Sequence, residues 1–240
     1  MVAAPLASID PEHPQPRALE RAAELLSEGE LLAYPTDSCY ALGCDARARR
    51  AVERLYALKR RDRRKPFALL VPDLSDVARY AIVSNFAYRL LRQCTPGPFT
   101  FVLPSTRLVP ELLLNRQKQV GIRVPDAPVA AALARALGGP LVTTTATGVD
   151  GEPLADPRDI KELYGHALAL VLDAGLQVGQ PSTVVSLLGD EIEILRQGEP
   201  CFRSTPELPG RAPSSWDGSG FSGHRGFRGW RPNCPPLRRG

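Results

Sequence analysis

Two nearby stretches, YPTDSCYALGC (Tyr34–Cys44) and KRRDRRKPFALLV (Lys59–Val71), decide how this chain is read. The first reads as a strand, Leu31–Tyr34, that runs into a tight polar turn, because Pro35, Asp37 and Ser38 are turn formers. The second packs six cations and one acid, Asp62, into the seven residues Lys59–Lys65, then meets Pro66 and an apolar strand, Phe67–Val71. A cation cluster between a helix end and a buried strand suits the grip of a polyanion such as a nucleoside triphosphate. Arginine forks bind phosphate oxygens bidentately and lysine acts as a point charge. The bland alternative is a solvated helix end, where positive side chains offset the dipole. Against it, the run is longer than a cap needs, and Pro66 with its strand pins one flank to the core.

Outward from these segments the apolar spacing alternates between helical and strand periods. Helices are expected over Pro16–Glu28 (apolar at Leu19, Ala22, Ala23 and Leu26, stopped by Gly29) and from an N-cap at Asp45 to about Arg60. A short helix follows a capping box at Asp73 and Asp76. Further helices are expected over Ser84–Gln93, Pro128–Leu137 and Asp156–Tyr164. Strands are expected at Phe99–Leu103, Val120–Val124, Leu141–Thr145, Leu168–Leu172, Thr183–Leu188 and Glu191–Leu195, the last two joined as a hairpin at Gly189-Asp190. The alternation argues an α/β fold, and the closing hairpin makes the sheet mixed rather than purely parallel.

Composition excludes several classes. The 240 residues are 43% hydrophobic and 23% charged, ordinary values for a globular protein. No apolar run approaches the length of a membrane span. The N-terminus has no basic segment followed by an apolar stretch, so no secretory signal is expected. Five scattered cysteines without a C-x-x-C pair suggest a reducing cytoplasm rather than a disulfide framework. The three histidines lie far apart, and no protein-ligated metal is expected. The net charge of +4 resides in residues 205–240, which carry six arginines against two acids, leaving 24 basic and 24 acidic groups before them. An anion site in the body must therefore come from local clustering, not from overall field. Residues 201–240, rich in Gly, Pro and Arg, are expected to be a disordered tail. Its interleaved arginines and aromatics (Phe221, Phe227, Trp230) suit a weak RNA contact as the alternative.

Other candidates stand at strand ends. Thr36 presents a hydroxyl after the first strand, where α/β sheets place ligand sites. Arg123, inside the apolar GIRVPD segment, must pair with a protein carboxylate or meet an anionic ligand, since burying it alone is costly. The hydroxyls of Thr143–Thr147, Ser182 before its strand, and Arg196 ahead of Gly198 each suit a polar ligand or a plain strand end. No Ser/His/Asp or Cys/His nucleophile set appears, and Cys39 and Cys44 read as packing residues. Any chemistry should rest on positioning and charge stabilisation.

Together, IDPEHPQPRALERA, YPTDSCYALGC, the Lys59-Arg60-Arg61 cluster with Lys65-Pro66, TPGPFTF, GIRVPD, TTTATG, PSTVV and LRQG resemble the YrdC/YciO family, which includes the threonylcarbamoyl-AMP synthases. The opening segments are more similar to the YciO branch. The resemblance implies a YrdC-like domain over residues 9–200, with a twisted mixed sheet, flanking helices and a positively charged concave surface. It implies ATP (with Mg²⁺, as substrate), L-threonine and bicarbonate as ligands. The implied reaction is that of a nucleotidyltransferase serving threonylcarbamoyladenosine modification of tRNA. By motif, Thr36, Arg123 and Ser182 would bind threonine. Lys59, Arg61, Lys65, Thr145, Thr147 and Arg196 would bind the nucleotide, with Lys59 and Arg61 stabilising charge in the reaction. Thr145 and Thr147 stand where synthases carry S-x-N, and a threonine cannot supply the paired donor and acceptor of Asn. The alternative is a non-catalytic module that binds tRNA or double-stranded RNA through the same basic concavity.

Overall fold

The computed structural model describes residues 4–189 and 191–198. The expected tail and Asp190 of the expected hairpin turn lie outside the described residues. Ten strands and six α-helices follow in the order β1 (Leu6–Ser8), α1 (Pro16–Ser27), β2 (Leu32–Tyr34), β3 (Ala41–Asp45), α2 (Arg49–Leu58), β4 (Ala68–Leu70), α3 (Leu74–Tyr80), α4 (Asn85–Cys94), β5 (Phe99–Pro104), β6 (Gln119–Arg123), α5 (Pro128–Leu137), β7 (Leu141–Thr145), α6 (Pro157–Tyr164), β8 (Leu170–Asp173), β9 (Thr183–Ser186) and β10 (Glu193–Arg196). A 3₁₀ turn, Glu111–Leu113, precedes β6.

All ten strands join one sheet in the order β1-β8-β2-β3-β7-β4-β6-β5-β9-β10. It is mixed: β8 runs parallel to both β1 and β2, while β3 is antiparallel to both β2 and β7. Farther along, β4 pairs parallel with β6 and β5 parallel with β9, and β9 closes antiparallel on β10. Strands far apart in sequence thus become neighbours, and the loops at their ends converge.

Helix α1 packs against α5 over the sheet. Leu19, Ala22, Ala23 and Leu26 meet Val129, Ala130, Leu133, Ala134 and Leu137, above Leu32, Tyr34, Leu70, Leu141 and Leu172 of the strands. Each buried Leu contributes about 1.5–3 kcal/mol. The alternate strand residues Ala33, Leu42, Leu69, Val142 and Val171 are equally buried. They face the opposite side, where α2 packs on β3. Helix ends follow their local chemistry. Pro128 opens α5, and Gly138 closes it at φ 63°, a conformation open to glycine without a Cβ clash. Ser84 and Asp156 cap α4 and α6 through backbone N–H groups of Ala87 and Arg158.

Besides the short β1, which the sequence reading did not include, three elements differ from it. The first motif is strand–turn–strand, because Ala41–Asp45 forms β3 and buries all five residues. Asp45 ends that strand rather than capping α2, which starts at Arg49. Asp73 caps α3, but Asp76 pairs with Arg79 instead of completing the capping box.

Gly43, in β3, sits under the Tyr34 ring, and a Cβ there would lie 2.3 Å from the Val142 carbonyl oxygen and 2.9 Å from the Tyr34 hydroxyl. Gly43→Ala should therefore destabilise the fold by about 1–3 kcal/mol. Urea denaturation reads this directly, and an unchanged midpoint would show that the β2–β3–β7 pairing yields more easily than this geometry implies.

Candidate functional site

Five segments bring polar groups together: the turn after β2, the end of α2, the end of β6, the loop after β7, and the β9–β10 pair. In the turn, the Thr36 hydroxyl donates to the Cys39 carbonyl (2.7 Å) and accepts from the Ser38 and Cys39 N–H groups (3.2 and 3.3 Å). This hydroxyl-closed turn fixes the directions of Asp37 and Ser38. Gly179 crosses so close that a Cβ there would lie 1.9 Å from the Ser38 carbonyl oxygen. Cys39 Sγ donates to the Gly179 carbonyl, so the thiol serves the packing role read from sequence.

Arg123 ends β6 and points at this turn. Its Nη2 donates to Ser38 Oγ (2.8 Å), to Thr36 Oγ1 (3.3 Å) and to the Asp37 carboxylate. The other Asp37 oxygen accepts the Asp126 N–H at 3.1 Å. Both side chains of this ion pair are only 7% exposed, which makes it a buried pair. Arg123 Nε is buried with no partner. Of the two alternatives the sequence left open, the protein carboxylate is present, and Nε is still unsatisfied.

Lys59 follows the last residue of α2. Its ammonium donates to Thr147 Oγ1 (2.6 Å) and to Tyr164 Oη (3.3 Å), and Tyr164 in turn donates to the Thr147 carbonyl (2.5 Å). Both acceptors are neutral. Desolvation first, and Arg61 second, push the Lys59 ammonium down to about 8. Arg61 is held by backbone: Nε donates to the Lys65 carbonyl (2.6 Å), Nη2 to the Pro66 carbonyl (3.3 Å), and the guanidinium lies 5.2 Å from the Phe67 ring centre. Arg60, at φ 46°, precedes the stretch in which Arg61 folds back over the segment leading into β4. Arg196, ending β10, donates through Nε and Nη2 to the Ser182 carbonyl (3.1 and 2.7 Å) and through Nη2 to Ser182 Oγ (3.2 Å). Ser182 Oγ also meets Thr100 Oγ1 at 3.0 Å.

Arg61 and Arg196 keep solvent-exposed surface. Surrounding atoms still crowd both guanidinium groups enough to lower their pKa values. After desolvation, the next causes for Arg196 are Arg61 and then Arg123, so these cations sense one another across the site. Lys59, Arg61 and Arg196 form no ion pair among the described residues.

The structure thus gathers Thr36, Lys59, Arg61, Arg123, Thr147, Ser182 and Arg196 by direct contact or by electrostatic reach. Lys65 contributes its carbonyl, and its side chain is exposed. Thr145 is half-buried at the end of β7, opposite Ala41. Sequence reasoning missed Asp37 and Ser38 as partners of Arg123, and Tyr164 and Thr100 altogether. An acid in a turn beside an isolated strand arginine was the available signal for the first. Among the described residues no His/Cys/Asp/Glu group is arranged to hold a metal, and no helix is long and apolar enough to cross a membrane.

The Sua5_yciO_yrdC family, described as "Telomere recombination", matches residues 24–198, and the chain belongs to it. The crystal structure of Escherichia coli YciO is similar at 36% identity, with 82% of this chain and 97% of that one covered and a TM-score of 0.78. A threonylcarbamoyl-AMP synthase of Chromobacterium violaceum is 33% identical over 74% of this chain and 92% of that protein. The structure of P. abyssi Sua5 complexed with L-threonine aligns at 25% identity, covering 82% of this chain and 58% of that one, with a TM-score of 0.76.

The lowered Lys59 pKa has a definite sign. Its charge costs folding stability below about 8, and the cost fades as pH rises from there toward the ordinary 10.5. An anion binding at Lys59 would depend on pH the other way, because the ammonium is charged below about 8 and neutral above. Calorimetric affinity for tripolyphosphate should fall several-fold as the pH is raised through that value. Lys59→Met should bind more weakly below about 8, approach the wild type above it, and lose this slope. An unchanged slope in the variant would assign the titration to another group.

Proposed function

We propose that this chain is an L-threonylcarbamoyladenylate synthase-like nucleotidyltransferase acting in cytoplasmic tRNA modification. The observation that carries this reading is the set of three cations, Lys59, Arg61 and Arg196, gathered beside the buried Arg123 with no carboxylate partner among the described residues. Like charges crowd together in a folded protein when a polyanion repays their repulsion. Triphosphate fits that demand, and Mg²⁺ enters with ATP as substrate.

In this reading Arg123, with Thr36 and Ser182 nearby, receives the threonine carboxylate. The amino group, carboxylated by bicarbonate with loss of water, gives a carbamate whose oxygen attacks the α-phosphorus. The bond to the β-phosphate oxygen breaks, and pyrophosphate leaves toward Lys59 and Arg61. Their fixed charges stabilise the negative charge that builds on the leaving group. Thr145 and Thr147 line the approach from β7, with Thr147 holding the Lys59 ammonium at 2.6 Å until phosphate competes for it. Support also comes from the family relationship and from the L-threonine bound by the related P. abyssi protein.

The test is pyrophosphate release by the purified chain. Release should require ATP, L-threonine and bicarbonate together, and Arg61→Ala should lower kcat/KM by about 100-fold or more. No release under any combination would sink the reading. If the same protein then bound duplex RNA in a salt-dependent way through Lys59 and Arg61, the non-catalytic alternative would replace it.

A further inference from the structure

The Arg123 guanidinium is already occupied. In a guanidinium Nη1 lies cis to Cδ, so only two edges can take a carboxylate bidentately: Nε with Nη2, and Nη1 with Nη2. Both edges use Nη2. That nitrogen carries two hydrogens and faces three acceptors: Thr36 Oγ1 at 3.3 Å, Ser38 Oγ at 2.8 Å and the Asp37 carboxylate. Nε is buried with no partner, and among the described residues the side-chain hydrogen bonds of Arg123 all leave from Nη2. A ligand carboxylate can therefore grip Arg123 with two bonds only by taking an Nη2 hydrogen from the turn.

Among the three acceptors Asp37 differs in kind, because it alone carries charge. It neutralises Arg123 in a pocket where both side chains are only 7% exposed, and there charge is felt strongly. Its second oxygen is anchored by the Asp126 N–H at 3.1 Å, which holds the acid in place when Arg123 turns to another partner. The turn it belongs to is tied through Cys39 to Gly179, so displacement of Asp37 would be felt in the 174–181 loop that leads to Ser182.

We propose that Asp37 is a specificity-determining residue that occupies the carboxylate seat at Arg123 from within the chain, so that a ligand carboxylate binds by displacing it from Nη2. The inference rests on the proposed use of Arg123 as an amino-acid carboxylate receptor. It adds that the affinity of this seat is set by an internal competitor. Such a competitor keeps amino-acid binding weak until neighbouring phosphates or the ligand's other groups contribute.

Calorimetry with L-threonine on the full chain and on Asp37→Asn tests this. The amide preserves shape and an acceptor oxygen but removes the competing charge. L-threonine should bind the variant about five-fold or more tightly than the wild type, a coupling of ordinary size. L-threoninol, whose carboxylate is replaced by an alcohol, should show no such gain. Equal or weaker threonine binding by the variant, or an equal gain for L-threoninol, overturns the inference. Pyrophosphate release by the wild type together with unchanged threonine affinity in Asp37→Asn removes the inference and leaves the synthase reading standing. Tighter threonine binding without any pyrophosphate release does the reverse. Should the variant fail to fold, a crystal structure of the wild type with L-threonine decides. A bound carboxylate on Arg123 with Asp37 no longer on Nη2 supports the inference, and Asp37 still seated there overturns it.

Discussion

Arg61 lies within electrostatic reach of both Lys59 and Arg196, none of the three forms an ion pair among the described residues, and the surrounding structure holds that repulsion in place. Each cation is fixed by neutral oxygens: the hydroxyls of Thr147 and Tyr164 for Lys59, the carbonyls of Lys65 and Pro66 for Arg61, and Ser182 for Arg196. Neutral acceptors orient a charge without cancelling it. In the proposed reading a polyphosphate would meet preorganised donors that lose little freedom on binding, which is where electrostatic stabilisation of a leaving group gains most. Arg123 is the exception, since the Asp37 carboxylate already pairs with it, and under the proposed reading its ligand would have to compete where those of the other cations would not.

Sheet topology makes this arrangement reachable. Contacts span 88 residues between Lys59 and Thr147, and 87 between Thr36 and Arg123. They form because β3 and β7 pair next to each other, as do β4 and β6, so turns from distant segments open onto common ground. Within the α1–α5 core the strands carry apolar residues, and the polar work is left to their ends.

Legibility in the sequence followed the physics of each element. Helix α5 and strand β7 were readable to the residue, because Pro128, Gly138 and a β-branched run mark their limits. Strand β3 was not, because it is buried on both faces and built from small residues around Gly43, so it has no alternation to detect. Strand β1 is three residues long and half-buried, too short for a period. In the site, cations were conspicuous because a charge beside a strand must be answered by something. Asp37, Ser38 and Tyr164 were not, because turn formers and a helix-face aromatic have sufficient local reasons to exist. Their second role depends on partners brought close only by the fold.

The most direct measurement is a crystal structure of the chain with a non-hydrolysable ATP analogue and Mg²⁺. The account predicts phosphate oxygens within hydrogen-bond distance of Lys59, Arg61 and Arg196 together, with the Lys59 ammonium drawn from Thr147 toward them. A nucleotide bound elsewhere, or phosphates touching none of these three side chains, would contradict it.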